Sequence, residues 1–213
     1  MLEHYENYEG RTHSTLLSAM IRDVMHYARS REITIDAVAV SIGPGSYTGL
    51  RIGLSEAKGL AFGMNVPLIG VNTLQLLTVT AQFSHFVDDE NVRYAPMIDA
   101  RRMEVYTAVY DAALHEVMPP QPLIIDEAAY EQQLAQGRLM LFGDGSEKAR
   151  QVITHPNAEF LGPIKPVAVN MLALSEKAWR EKDFIDVAYS TPLYLKDFKA
   201  TKPKNLLISH ADR

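Results

Sequence analysis

The stretch with the strongest chemical character is Gly43-Pro44-Gly45-Ser46-Tyr47-Thr48-Gly49-Leu50-Arg51-Ile52-Gly53, set between an apolar run and a helical pattern. A glycine-rich turn in that place can aim several backbone N–H groups at an anion held at the helix N-terminus. Gly43, Gly45, Ser46, Thr48 and Gly49 are therefore candidate anion-binding residues, with the two hydroxyls serving as extra donors or as the helix cap. The spacing departs from both common phosphate templates. Thr48 stands five positions beyond Gly43 and Leu50 five beyond Gly45, and no Lys-Ser/Thr pair follows, so the P-loop pattern fails. Gly43, Gly45 and Gly49 give G-x-G-x-x-x-G, one residue longer than the dinucleotide fingerprint. A tight turn leading into a capped helix accounts for the same residues without any ligand.

Other groups carry weaker chemistry. Asp99, Arg101, Arg102 and Glu104 make a charged turn. Asp99 and Arg101 can position a ligand or a partner there, or the four can form local ion pairs worth about 0–1 kcal/mol. Gly143-Asp144-Gly145-Ser146 follows an apolar run, so Gly143 and Gly145 either line a cleft or belong to a helix cap. The seven histidines are scattered, and no pair has the H-x-x-x-H spacing that puts two imidazoles on one helix face. No metal site is expected. Cysteine is absent, which removes disulfides, thiolate nucleophiles and Cys-based metal sites. There is also no G-x-S-x-G elbow.

The elements that must hold these groups alternate in type. Leu2 to Tyr8 reads as a short polar strand ended by Gly10, and Ser14 offers the cap of a helix running through Ala28. Ile35 to Ile42 reads as a buried strand, Leu50 to Phe62 as a helix stopped by Gly63, Pro67 to Val71 as a strand, and Thr73 as the cap of a third helix. Asp88 to Asn91 is a polar break, which divides the chain into lobes at 1–90 and 91–213. Beyond it, Tyr94–Asp99 and Glu104–Tyr110 pair as strands. Pro119, Pro120 and Pro122 mark a loop, Asp126–Ala135 a helix and Leu139–Phe142 a strand. Asn170 caps a helix that ends near Lys182, with Trp179 in its core face. The result is an α/β chain.

The first two helices look shaped for close contact. Gly49, Gly53 and Ala57 recur every four residues along the second helix, flanked by Leu50, Leu54 and Ala61. Each interior glycine disfavours a helix by about 0.8–1 kcal/mol relative to alanine, so close packing must offset Gly53 and Gly59. The apolar residues of the first helix fill roughly 180° of its circumference, where a helix on a sheet needs roughly 100°. The surplus calls for a second contact, either a neighbouring helix or another chain. Leu17, Met20, Ile21, Val24, Gly49, Ile52, Gly53, Glu56, Ala57 and Leu60 are the candidate partner-binding residues.

Composition bounds the partners. The 213 residues carry 21 basic and 26 acidic side chains, a net charge of −5, which argues against a stand-alone nonspecific nucleic-acid binder. No run of 18 or more apolar residues is present, and the first residues lack the basic and apolar regions of a signal peptide. A cytoplasmic protein without a membrane partner is expected. Lys196, Lys199, Lys202 and Lys204 make a basic tail, solvated or set against nucleic-acid phosphates in a complex.

Gly43 through Gly53, followed by Ala57-Lys58-Gly59-Leu60-Ala61, resembles the hallmark of the TsaB (YeaZ) family. Pro67 through Leu74, Ile98 through Tyr106, His13-Ser14 and Pro192 through Lys196 are similar to further motifs of that family, so the resemblance spans nearly the whole chain. It implies a two-lobed actin-like, sugar-kinase-like α/β fold of the ribonuclease H-like kind. It also implies a non-catalytic accessory subunit of the machinery that adds threonylcarbamoyl to adenosine in tRNA. The partners it implies are a TsaD-like catalytic subunit, docked on the first two helices and holding ATP and metal, and a small TsaE-like ATPase. A homodimer is implied when the chain is alone, with tRNA met only through the complex and no cofactor of its own. The family's opening strand hairpin, with its I-D-T-A/S-T segment, has no counterpart here, and an N-terminally shortened form is expected. The competing expectation is an ATP-dependent phosphotransferase of the sugar-kinase type.

Overall fold

Two parallel strands carry the glycine loop. The computed structural model describes residues 1–8, 13–85 and 87–196, with side chains in the first helix from Thr15 onward. Strand β1 (Val38–Gly43) pairs in parallel with β2 (Leu68–Asn72), and helix α2 (Tyr47–Met64) is the crossover that parallel pairing requires. Leu54, Ala57 and Ala61 of α2 pack with Leu68 over Val38, Val40 and Ile42. Helix α1 (His13–Ser30) lies alongside α2. Helix α3 (Thr73–Ser84) starts at once after β2, its first turn closed by Asn72, whose Oδ1 accepts the Leu74 N–H at 2.8 Å.

The second sheet has five strands in the order β5-β4-β3-β6-β7. Strands β3 (Arg93–Asp99), β4 (Glu104–Tyr110) and β5 (Glu116–Ile124) run antiparallel in sequence, and β6 (Leu139–Phe142) and β7 (Ala158–Gly162) add in parallel on the far side of β3. Helices α4 (Glu131–Gln136) and α5 (Ser146–Arg150) cover one face. Helix α3 covers the other, with Leu77 and Ala81 against Tyr94, Met140 and Phe142, and Leu74 against Ala108 and Tyr110. Because α3 serves both sheets, it is the most buried helix of the fold. The architecture is the two-lobed α/β arrangement expected from the motifs.

Several expectations change. Residues 2–8 form no strand and are mostly exposed, because their polar alternation offers too little apolar surface to hold an edge. Pro119, Pro120 and Pro122 lie inside β5 rather than in a loop. β5 is the sheet's edge, where a missing N–H is tolerated on the solvent side. The helix expected over 126–135 contracts to α4, since Asp126 closes a turn on the Ala128 N–H. Asn170 does not cap the last helix, α6 (Leu172–Glu181). It sits in a short 3-10 turn (Ala168–Met171) and its amide donates to Thr80 Oγ1. Trp179 is 43% exposed, tilted against Phe184, and is not core.

The lobe boundary also needs correction. Leu174 and Ala178 of α6 pack against Ile69 and Val71 of β2, and Ile185 bridges Leu68, so the chain beyond 171 returns to the first lobe. Gly10, the side chain of Ser14 and the tail lysines Lys199, Lys202 and Lys204 lie outside the described residues.

Candidate functional site

The glycine loop leaves β1 at Gly43, whose φ of +121° is open to glycine but not to other residues. A Cβ there would stand 2.8 Å from the Leu193 carbonyl oxygen. Ser46 caps α2 by accepting the Gly49 N–H at 3.3 Å. Gly45, Ser46 and Gly49 then form one wall of a cleft of about 300 Å³, together with Ser41, Leu50 and Thr73. Ile98, Asp144, Ile164 and Lys165 form the other wall. The fold therefore brings the candidate anion loop against the second lobe, while Thr48 stays exposed at the surface and Gly43 turns to Leu193.

The chemistry of the cleft is sparse. Ser41 Oγ and Thr73 Oγ1 share a 2.6 Å hydrogen bond with each other. Lys165 is the cation among the lining residues, and its Nζ lies 4.2 Å from the centre of the Tyr8 ring. Asp144 is the carboxylate, and its Oδ1 accepts the Asp99 N–H at 2.8 Å. Among the described residues no group of three or more His, Asp or Glu can hold a metal.

The other expected cleft residues serve the turn around them. Lys148 Nζ donates to Asp99 Oδ1 at 2.6 Å, to Arg102 O at 2.9 Å and to Glu104 O at 2.5 Å. Burial raises the Asp99 pKa, but hydrogen bonds from Lys148 and the Arg101 N–H outweigh it and hold the carboxyl below its ordinary value. Gly143, with φ +104°, and Gly145 lie tight against β3. Their Cβ atoms would strike the Met97 carbonyl and, at 2.8 Å, Val105 Cγ1. Asp144 between them is what reaches the cleft.

The outward side of the first lobe is a different surface. Leu54, Ala57 and Ala61 point α2 at the sheet, which turns Ile52, Ser55, Glu56 and Gly59 away from it. With Arg51 and Leu60 these residues line an open groove of about 650 Å³. Among the described residues, a Cβ placed on Gly53, Gly59 or Gly63 would meet nothing within 4 Å. Leu17, Met20, Ile21 and Val24 of α1 are only half-buried beside it. Two expected members lie elsewhere: Ala57 is 6% exposed because it packs in the core under α2, and Gly49 lines the inter-lobe cleft.

The segment after α6 pins this face from behind. Lys58 Nζ donates to the Ala188 and Ser190 carbonyls, and the Tyr194 ring stacks on Tyr47 at 5.1 Å. The Arg51 guanidinium lies 4.9 Å over the other member of that pair, Tyr47. Lys196 pairs with Glu104 in the second lobe. The partners of Lys58, Tyr194 and Lys196 are about 90 to 150 positions away, beyond the reach of any local pattern.

The chain is similar to known proteins over most of its length. The family described as TsaD, tRNA N6-adenosine threonylcarbamoyltransferase, matches residues 6–193. The tRNA threonylcarbamoyladenosine biosynthesis protein TsaB of Escherichia coli is 29% identical over 203 residues, covering 90% of this chain and 84% of the relative. A tRNA N6-adenosine threonylcarbamoyltransferase of Symbiobacterium thermophilum is 51% identical, but over 66 residues, 31% of this chain and 19% of that enzyme. Among solved structures, a Pseudomonas aeruginosa protein with similarity to peptidase YeaZ superposes with a TM-score of 0.77 at 27% identity, covering 91% of this chain and 88% of that one.

Proposed function

Because the chain belongs to the tRNA N6-adenosine threonylcarbamoyltransferase (TsaD) family, and is similar over most of its length to a TsaB relative, we propose that it is an accessory subunit in tRNA threonylcarbamoyladenosine biosynthesis. It docks through α1 and α2 on a TsaD-like catalytic subunit and performs no complete reaction alone. The observation that carries this reading is the outward groove of α2. Gly53, Gly59 and Gly63 keep an open side, so nothing among the described residues offsets their helix-weakening effect. A second helix crossing there can come closer than the usual 8–10 Å between axes. The half-buried apolar side chains of α1 extend the same surface.

The comparisons support an accessory role in one further way. Similarity to the transferase itself covers a fifth of that enzyme, whereas similarity to TsaB runs nearly end to end. ATP and metal then sit on the partner, a TsaE-like ATPase joins the pair, and the isolated chain self-associates through the same helices. The cytoplasm, where tRNA is modified, is its place.

Co-elution of the chain with a TsaD-like subunit tests the reading. Wild type forms the complex, and Gly53→Arg abolishes it while keeping its thermal transition, since bulk and charge enter open space. Unchanged complex formation by Gly53→Arg places the interface elsewhere. Micromolar binding of ATP with Mg²⁺ by the isolated chain in calorimetry favours a phosphotransferase instead.

A further inference from the structure

We infer that the β3–β4 hairpin tip, Arg101-Arg102, is a contact for the phosphate backbone of RNA, presented beside the α1–α2 docking face. The inference rests on the proposed function for the presence of tRNA and goes beyond it in naming where this subunit touches it. Both residues take left-handed conformations, φ +70° and +51°. Among the described residues they are the one adjacent pair of non-glycine residues that does so. Glycine and asparagine fill such positions with less strain, so the backbone gives no reason for two arginines. Asp99 Oδ1 fixes the tip by accepting the Arg101 N–H at 2.7 Å.

The side chains give the reason. Both arginines are exposed, and among the described residues neither guanidinium forms a hydrogen bond or a close ion pair, Arg101 reaching Asp99 only through its field. The two nearby carboxylates are already engaged, Asp99 by Lys148 and Glu104 by Lys196. The close contacts of both carboxylates are thus taken by lysines rather than by the arginines. Two planar forks remain facing outward, the geometry suited to phosphate oxygens.

Position ties the tip to the docking face. Glu104 pairs with Lys196, and two residues before Lys196 the Tyr194 ring stacks on Tyr47, the first residue of α2. One short segment, Tyr194 to Lys196, therefore touches both the strand that leaves the tip and the first residue of α2. Arg51, with its guanidinium over Tyr47, adds a further cation where α2 meets the groove. A tRNA held by a subunit seated on α1 and α2 passes this row.

The test uses the complex of the full chain with the TsaD-like subunit and an unmodified tRNA transcript, titrated at several salt concentrations. Arg101→Asn with Arg102→Gly removes both charges while placing residues suited to positive φ, so the thermal transition holds or rises. The expected result is intact co-elution, tRNA affinity at least fivefold weaker, and a slope of log K against log salt smaller by about 1.4–1.8, two phosphate contacts' worth. Arg101→Lys with Arg102→Lys keeps the salt slope, because the charge stays, and loses part of the affinity, because an ammonium has no fork. Unchanged affinity and slope in the Asn-Gly variant overturn the inference. So does a loss of co-elution without a change in tRNA affinity, which assigns the tip to a protein partner, or a lysine pair whose salt slope falls as far as that of Asn-Gly. A wild-type chain that forms no complex overturns the proposed function and this inference together, whereas a formed complex with unaltered tRNA binding overturns this inference alone.

Discussion

The Ser18 hydroxyl donates a 2.6 Å hydrogen bond to Glu56 Oε1, joining α1 to the outward side of α2. The bond holds Glu56 at the rim of the groove, so the two helices present one surface rather than two. Because the pair is exposed, Ser18→Ala lowers folding stability by no more than about 1 kcal/mol. Docking is affected more, since Glu56 must then be ordered on binding. A severalfold weaker complex with a nearly unchanged urea midpoint is the expected result. Equal affinity of the two forms places Glu56 outside the contact.

The glycines of α2 make a sharper case. Gly53→Ala, Gly59→Ala and Gly63→Ala each add a methyl group where nothing lies within 4 Å. Each substitution raises stability of the isolated chain, by about 0.5–1 kcal/mol at the interior positions, through helix propensity and a less flexible unfolded chain. The same methyl groups push back a partner helix. Urea unfolding should show the gain while co-elution with the TsaD-like subunit weakens. A stability loss at any of the three shows a neighbour packed against that glycine.

How much of this was legible follows from range. The glycine loop, the α/β alternation and the surplus apolar arc of α1 are written in local spacing and can be read directly. The orientation of α2 was only half legible. Gly49, Gly53 and Ala57 do lie along one side, but the sheet claims Ala57 and the cleft claims Gly49, and a helical wheel does not show where the sheet is. β5 was hidden by its three prolines, which only an edge position tolerates. Lys148 and Tyr194 were invisible, because their partners come from strands and helices far away in sequence.

Asp111 organises the β4–β5 connection. Its Oδ1 accepts the Ala113 and His115 N–H groups at 2.9 Å each, and Oδ2 lies 3.0 Å from His115 Nδ1. Burial raises the carboxyl pKa, yet these bonds outweigh it and hold it below its ordinary 3.8. A lowered folded pKa means stability that is present above the unfolded value and lost as pH falls through the folded one. Between pH 5 and pH 3 the wild type therefore loses more stability than Asp111→Asn, which keeps an acceptor oxygen without the charge. Parallel losses in the two proteins, measured by urea unfolding, remove this carboxyl from the acid response.

A buried polar chain in the second lobe offers the largest single effect. The Tyr130 hydroxyl donates to Thr107 Oγ1 at 2.8 Å, and Thr107 Oγ1 donates to the Pro96 carbonyl at 2.7 Å. Thr107 is fully buried and Tyr130 is 4% exposed, and burial drives the Tyr130 pKa above its ordinary value. The roles are unequal. Tyr130→Phe leaves Thr107 its donor bond to Pro96 and costs about 0.5–1.5 kcal/mol. Thr107→Val strands both the tyrosine proton and the proline carbonyl, and costs about 2–4 kcal/mol. In the double variant the tyrosine hydroxyl is gone, so its total falls below the sum of the singles by about 1 kcal/mol. Equal single effects, or strict additivity in the cycle, show that water already serves one of these groups.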